Sequence, residues 1–270
     1  MNKVFKKIGF YFFLAIVMIP VVFPLAWIGM SSLKTQQQII TLPPRIFFAP
    51  TLENFRRVFL ENNFSLYLLN SSVIALFSTL FSLVLALPAA YSISRYHQKK
   101  LSMFILVARL MPGVSFLIPW FIIFSRLKLT DTYIILIASH MLVALPLMVW
   151  IMVSFIDDLP YELEEAALID GCGKAAIFLR IVLPLSSPGI ITCSTLSFIF
   201  SWNNFMFSLA LSASKTKTLP IAIYNFVSYA EVSWGSVMAA AVVIMAPAIV
   251  LTMLLQKYVI RGLTAGAVKG

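Results

Sequence analysis

The chain has 270 residues, of which 61% are hydrophobic and only 11% are charged, and its net charge is +10. An ordinary soluble domain carries about 25% charged residues and about 45–50% apolar residues. This composition therefore excludes a soluble globular domain, a disordered chain and, with only two cysteines, a disulfide scaffold. The basic residues flank long uncharged runs, which is typical of charge that sets membrane topology and argues against a nucleic-acid-binding surface.

Six apolar runs are long enough to cross a bilayer, which takes about 20 residues. They predict spans near residues 9–30, 66–93, 101–125, 132–156, 186–211 and 236–258. The third run is interrupted only by Arg109, and no run has the alternating pattern of a barrel strand. Backbone polar groups in hydrocarbon must be satisfied within their own segment. The sequence thus predicts an all-α membrane protein with a single transmembrane domain over 1–270.

The basic clusters at 3–7 and 95–100 predict the topology. Lys and Arg favour the cytoplasmic side, so we expect both termini and the 157–185 connection in the cytoplasm. The connections 31–65 and 212–235 then face outside. A signal peptide would also begin with lysines, but this apolar stretch exceeds 20 residues and lacks an Ala-x-Ala-like site. We therefore expect the first span to be retained.

The segment 157–184 reads DDLPYELEEAALIDGCGKAAIFLRIVLP and holds six of the ten acidic residues. Asp157 or Asp158 is expected to cap a helix start, with Pro160 in the first turn. Gly171 and Gly173 are expected to end that helix, and a second helical stretch follows from Lys174 to Leu183. A solvated acidic loop is the alternative explanation of this composition.

The same segment carries a pattern of fixed spacing: E-A-A, three residues, G, nine residues, I-x-L-P. Its positions are Glu165, Ala166, Ala167, Gly171, Ile181, Leu183 and Pro184. The pattern resembles the EAA loop of ABC-importer permeases at every position. This resemblance implies the type I permease fold, with six transmembrane helices and a coupling helix that docks on a separate ATPase. It also implies that these seven residues serve that coupling.

Other segments extend the resemblance over most of the chain. Residues 86–95, 111–132 and 198–205 look like the carbohydrate branch of these permeases, and 262–270 resembles the end of the second permease subunit of maltose-type importers. The resemblance implies a sugar or sugar-like solute and a bacterial or archaeal inner membrane. It also implies three kinds of partner: a second permease, two ATP-binding subunits and an extracytoplasmic solute-binding protein.

ATP chemistry is not expected in this chain. A phosphate-binding loop needs G-x-x-x-x-G-K-[ST], and the nearest string fails because position 168 is Leu and position 175 is Ala. We therefore predict a transport subunit without its own enzyme activity, with ATP and Mg on the partner ATPase and no cofactor or metal on this chain. His97 and His140 are isolated, and we expect His140 to be a packed or cavity-facing residue.

Polar residues inside the spans are candidates for the solute pathway, because such groups usually face a cavity or a partner. The candidates are Arg109 in the third span and Ser201, Trp202, Asn203 and Asn204 in the fifth. Arg109 could instead pair with the partner permease or extend to the interface, and the 201–204 cluster could instead form interhelical hydrogen bonds. The 212–235 connection could enter the binding protein or simply cap the bundle.

Other classes of function remain open at this point. An ion-coupled carrier would need acidic residues near the bilayer midplane, and the six predicted spans contain none. A membrane enzyme would need a catalytic constellation, which the sequence does not show. Within importers, an amino-acid or peptide permease is the nearest alternative, opposed only by the 198–205 and C-terminal segments.

Overall fold

A computed structural model describes residues 2–61, 63–227 and 232–265, with side chains described over 7–60, 63–227 and 232–256. The described chain is helical, and its only β-structure is one bridge between Val227 and Val232. The α-helices are α1 Asn2–Ser32, α2 Gln36–Ile40, α3 Glu53–Glu61, α4 Phe64–Arg95, α5 Lys99–Leu110, α6 Leu117–Arg126, α7 Tyr133–Asp157, α8 Glu162–Ile169, α9 Lys174–Ile177, α10 Leu183–Leu185, α11 Ser187–Trp202, α12 Met206–Leu211, α13 Leu219–Ala222 and α14 Trp234–Ala265. Short 3-10 helices cover Gly113–Phe116 and Ile223–Phe226, and a π-helical turn covers Phe178–Val182.

Among the described residues, four helices are long and apolar enough to cross a membrane: α1, α4, α7 and α14. Two bent pairs raise the number to six if each crosses as one span. They are Lys99–Leu110 with Gly113–Arg126, bent by 89°, and Lys174–Leu185 with Ser187–Trp202, bent by 74°. This agrees with the predicted all-α membrane protein.

Two predicted spans differ from the observed helices. The span predicted at 101–125 is two helices, because Pro112 has no N–H to donate and Met111 before it is extended, with ψ 125°. The span predicted at 186–211 ends at Trp202, and residues 206–211 form a separate helix.

The chain divides into two compact units. The described residues of 1–65 and 222–246 form the first, and those of 66–221 and 247–270 form the second. The prediction of a single domain over 1–270 stays a prediction.

In the first unit, the connection after α1 is fixed by one buried amide. Asn54 Nδ2 donates to the carbonyls of Ser32 and Lys34, both at 2.8 Å. A Cβ added to Gly235 would lie 2.3 Å from Asn54 Oδ1, so the glycine permits this approach. Lys34 is itself 1% exposed. Buried polar groups need such partners, so this contact fixes the path of the chain from α1 to α3.

The core of the second unit lies where α4, α7 and α11 pack together. Met148, Met152 and Ile156 of α7 are completely buried against Ala86 and Ala90 of α4. Alanines allow helix backbones to approach closely in membranes. Small residues also serve the contact of α7 with α11, since a Cβ on Gly189 would lie 2.5 Å from the Phe155 ring. The end of α7 is therefore held firmly beside the segment that follows it.

Candidate functional site

The coupling segment, residues 157–185, forms a helix, a glycine turn and a second helix, as predicted. Gly171 adopts φ +83°, a left-handed conformation that glycine enters without the Cβ clash of other residues. The turn is closed by backbone N–H groups that donate to the end of α8: Gly171 to Leu168 at 3.0 Å and Cys172 to Ala167 at 2.9 Å. The glycine therefore determines the angle between α8 and α9.

The predicted cap of this helix was wrong. Helix α7 continues through Asp157, and Asp158 is its C-cap. Helix α8 begins at Glu162 after Tyr161, whose side chain makes no capping hydrogen bond. Asp157 instead accepts a hydrogen bond from the Ser94 hydroxyl at the end of α4. The fully buried Ile156 extends the apolar face of α7 to its last turn, so α7 includes Asp157 and α8 begins only at Glu162.

Helix α8 has one buried and one exposed face. Glu164 and Ala167 are buried, three residues apart on one side. Glu165 and Ala166 are exposed, and so are Leu168 at 46% and Ile169 at 86%. Leu168 and Ile169 therefore present apolar surface beside the exposed carboxylate of Glu165. We call the exposed residues 165, 166, 168 and 169 the docking face.

The buried side of α8 is attached to α4 by an ion pair that sequence reasoning missed. Arg95 Nε lies 2.6 Å from Glu164 Oε1, and Tyr91 Oη donates to Glu164 Oε2 at 2.7 Å. Both charged side chains are largely buried, at 11% and 6% exposure. Arg95 also donates to the carbonyl of Leu159 at 3.3 Å and lies over the Tyr161 ring. We call Tyr91, Arg95 and Glu164 the clamp.

The return into the membrane follows the end of the motif. Ile177 and Val182 are buried in the core of the second unit, and Ile181 packs beside them half-buried. Leu183 and Pro184 begin the one-turn helix α10, just before the 74° bend into α11. The π-helical turn at 178–182 shifts the register here, as such turns often do at functional sites.

The candidate pathway residues in the fifth span separate into two pairs. Ser201 and Trp202 are buried. Ser201 Oγ lies 2.6 Å from His140 Nδ1 and accepts from Ser78 Oγ at 3.0 Å. These are interhelical hydrogen bonds, and His140 is a packed residue as expected. Trp202 stacks on Phe198, with ring centroids 5.8 Å apart.

Asn203 and Asn204 instead lie in the break between α11 and α12. Asn204 Oδ1 accepts a hydrogen bond from the Phe207 N–H, in the first turn of α12, at 3.1 Å. Both asparagines line a cleft of about 450 Å³. The other residues that line it are Gly113, Val114, Val143, Ile199, Phe200, Phe205, Met206 and Phe207. The break after α5 and the break after α11 therefore meet at one cleft, and interrupted helices at a cavity are typical of transporter sites.

Arg109 is not among the residues that line this cleft. It lies in the last turn of α5, exposed, with its guanidinium 4.7 Å from the centre of the Trp150 ring. A cation over an aromatic face is a favourable contact. The Trp150 ring thus gives the Arg109 charge a partner within this chain. A role for Arg109 in the solute pathway stays a prediction.

Comparison with known proteins gives the family. Residues 78–265 match the family model described as "Binding-protein-dependent transport system inner membrane component". The chain belongs to this family. The permease is 34% identical over 276 residues to the trehalose/maltose transport system permease protein MalG of Thermococcus litoralis. The alignment covers 100% of this chain and 99% of the relative. It is also 34% identical over 263 residues to the sulfoquinovosyl glycerol transport system permease protein SmoH of Agrobacterium fabrum. That alignment covers 95% of this chain and 92% of the relative.

A solved structure shows the same fold. A bacterial ABC transporter involved in the import of the acidic polysaccharide alginate has a chain that superposes with a TM-score of 0.79 at 20% identity, covering 95% of the permease and 97% of that chain. The predicted type I importer permease fold is thereby confirmed, and so is the resemblance first seen in the 157–185 segment.

One carboxylate of the permease organises the start of the 212–235 connection. Asp131 Oδ1 accepts from the N–H of Ala213 at 2.9 Å, the N–H of Thr216 at 3.0 Å and the Thr216 hydroxyl at 2.8 Å. Asp131 Oδ2 accepts from the N–H of Lys215 at 3.1 Å. Burial alone would raise the pKa of the Asp131 carboxyl, but these donors outweigh it and hold the pKa below its usual value.

Residues at the start of α4 hold the same connection. Asn70 donates to the carbonyls of Lys215 and Lys217, at 3.0 and 2.9 Å, and accepts from the Tyr133 hydroxyl at 2.6 Å. Ser71 accepts from the N–H of Leu219 at 2.9 Å. The segment 212–219 is therefore fixed by side chains. Residues 228–231 of this connection lie outside the described residues.

Proposed function

We propose that this permease forms half of the pathway for a sugar or sugar-like solute and is driven by a separate ATPase that binds the docking face. The observation that carries the proposal is the division of α8 into a clamped side and an exposed side. Glu164 is bound to Arg95 and Tyr91, while Glu165, Leu168 and Ile169 have no role in the core. A surface of that kind transmits a push or pull on α8 directly to α4.

Bound ATPase would act on the pathway through a short chain of contacts. The clamp joins α8 to α4, and α4 packs against α7 and α11 in the core of the second unit. Helix α11 ends at the break that contains Asn203 and Asn204. Coupling requires contacts that differ between two states. We propose that the contacts of the clamp and of α4 with α7 and α11 are the ones that change.

The solute class is argued from the relatives and the cleft together. The relatives' names include a trehalose/maltose and a sulfoquinovosyl glycerol system. The cleft at the helix breaks offers amide groups from Asn203 and Asn204 beside aromatic rings of Phe200 and Phe205. Amides match sugar hydroxyls and an aromatic face suits the apolar side of a pyranose, so this cleft is our candidate for solute contact.

The assembly proposed here has five chains of four kinds. This chain pairs with a second permease, two ATP-binding subunits drive them, and an extracytoplasmic binding protein delivers the solute across the 212–235 side. ATP and Mg belong to the ATP-binding subunits, and this chain contributes neither an ATPase site nor a cofactor. Both termini and the coupling segment lie in the cytoplasm, where basic clusters favour them.

Reconstitution tests the proposal. Proteoliposomes that hold the whole importer, with its binding protein outside and ATP inside, are expected to accumulate labelled trehalose or maltose. Glu165→Lys reverses the exposed charge on the docking face and is expected to abolish uptake while the permease still inserts and folds. Glu162→Lys, which reverses an exposed charge one turn earlier, is the matched control. ATP-independent uptake, or normal uptake by Glu165→Lys, would contradict the proposal.

A further inference from the structure

A groove that neither coupling nor the pathway uses lies where the end of α4, the start of α5 and the end of α7 meet. It encloses about 340 Å³. A second recess of about 620 Å³ shares Ser94, His97 and Asp157 with it and is also lined by Arg95 of the clamp and by Tyr161, neither of which lines the groove itself. The three helices are all spans or parts of spans, so the groove lies where spans end and lipid headgroups begin.

The groove has two chemically different parts. Its apolar part is lined by Ile93, Met103, Leu106 and Val153, and its polar part by Ser94, His97, Gln98, Lys99, Ser102 and Asp157. Met103 is 63% exposed, so the apolar part is open towards the surrounding hydrocarbon. An amphipathic molecule with a short polar head and a long apolar tail fits this division.

The polar part carries both signs of charge. Lys99 is the first residue of α5, and Gln98 before it makes no side-chain capping hydrogen bond. The Lys99 N–H donates to the carbonyl of His97 at 2.8 Å, so the helix start contributes mainly the partial positive charge of its dipole. That partial charge and the lysine together suit a phosphate. On the other side, Asp157 accepts a hydrogen bond from Ser94. Among the described residues, no salt bridge involves Asp157.

We propose that this groove binds the headgroup of an aminophospholipid such as phosphatidylethanolamine. The phosphate lies against Lys99 and the start of α5, the primary ammonium lies against Asp157, and an acyl chain follows the apolar part. Phosphatidylglycerol would place its charge near Asp157 without an ammonium to neutralise the carboxylate. Phosphatidylcholine has no N–H to donate. The proposal is independent of solute and of ATPase docking.

The test is the lipid that stays with the intact importer complex. The complex is assembled in nanodiscs of equimolar phosphatidylethanolamine, phosphatidylcholine and phosphatidylglycerol with identical chains, and the lipid retained after mild delipidation is counted by native mass spectrometry. An ion pair of this exposure favours its ligand by about two- to fivefold. We therefore expect phosphatidylethanolamine to be retained about two- to fivefold over each of the other two lipids.

Matched variants locate the site. Asp157→Asn keeps an oxygen for the Ser94 hydroxyl and is expected to reduce the preference over phosphatidylcholine to about one, whereas Asp158→Asn is expected to keep it. Lys99→Gln is expected to lower retention of phosphatidylethanolamine about two- to fivefold, and Lys100→Gln to leave it unchanged. Equal retention of the three lipids, a preference that survives in Asp157→Asn, or a polypeptide segment that fills the groove in the assembled importer would each overturn the proposal.

Discussion

Removal of the Glu164 carboxylate is the most informative single change in the coupling segment. Glu164→Ala leaves Arg95 as a largely buried cation, since only 11% of its side chain is exposed. Breaking one partner out of a buried pair costs about 3–5 kcal/mol. Arg95 keeps its bond to the Leu159 carbonyl, at 3.3 Å, so we expect a loss of about 3 kcal/mol, at the lower end of that range.

This loss is expected to act on coupling as well as on stability, because the clamp is the side-chain bond between α8 and α4. The assay is the purified importer in proteoliposomes, with ATP hydrolysis measured with and without the loaded binding protein. We expect Glu164→Ala to lower the thermal midpoint and to lose the stimulation of hydrolysis by the binding protein. Basal hydrolysis by the ATPase is expected to persist, because its active site lies elsewhere.

Glu165→Ala is the matched control on the same helix. Its side chain is exposed, so we expect its thermal midpoint to stay within error of the unmodified permease while ATPase binding weakens. A double-mutant cycle with Arg95→Gln and Glu164→Gln separates the pair from its surroundings. A coupling energy near zero, or full stimulation by Glu164→Ala importers, would refute the role of the clamp.

Three further predictions concern other fixed points of the chain. Gly171→Leu is expected to cost about 1–2 kcal/mol of stability, because φ +83° strains a residue that has a side chain. We expect it to abolish uptake without loss of membrane insertion. Gly173→Leu, at a negative φ, is the control and is expected to have a milder effect in the same uptake assays and membrane fractionation. Gly189→Leu is expected to lower the thermal midpoint by an overpacking cost of about 1–3 kcal/mol or more, because even a Cβ would lie 2.5 Å from Phe155. Because the pKa of Asp131 is lowered in the fold, its stabilisation is present above the ordinary aspartate pKa and is lost as pH falls through the lowered value. Asp131→Asn is therefore expected to flatten the acid limb of a stability-against-pH curve, and an unchanged limb would contradict the assignment.

The sequence predicted those features that depend on local chemistry. Uncharged runs marked the spans, because hydrocarbon excludes charge over a fixed length. Gly171 marked the turn, because a left-handed residue is most easily a glycine. The EAA pattern marked the coupling segment through resemblance, and the family match over 78–265 bears the resemblance out.

Features that depend on distant partners were not predictable in this way. Glu164 and Arg95 are 69 residues apart in sequence, and nothing local distinguishes Glu164 from the exposed Glu165 next to it. The three-residue spacing of Glu164 and Ala167 places both on one side of α8, but only the structure shows that this side is buried. The four residues 201–204 looked like one polar cluster, but the helix ends between Trp202 and Asn203 without a glycine or proline to mark the place.

Cross-linking the docking face to the ATPase tests the central claim most directly. Ile169→Cys in a Cys172→Ser background places one thiol on a residue of α8 that is 86% exposed, and Cys193, which remains, is buried. With a short thiol-reactive bifunctional reagent in the assembled importer, we expect a covalent adduct with the ATP-binding subunit whose yield changes between nucleotide-free and ATP-bound states. The same reagent on Lys100→Cys is expected to give little adduct. If no adduct forms at residue 169 in either state while the importer is still active, the assignment of α8 as the surface that binds the ATPase is contradicted.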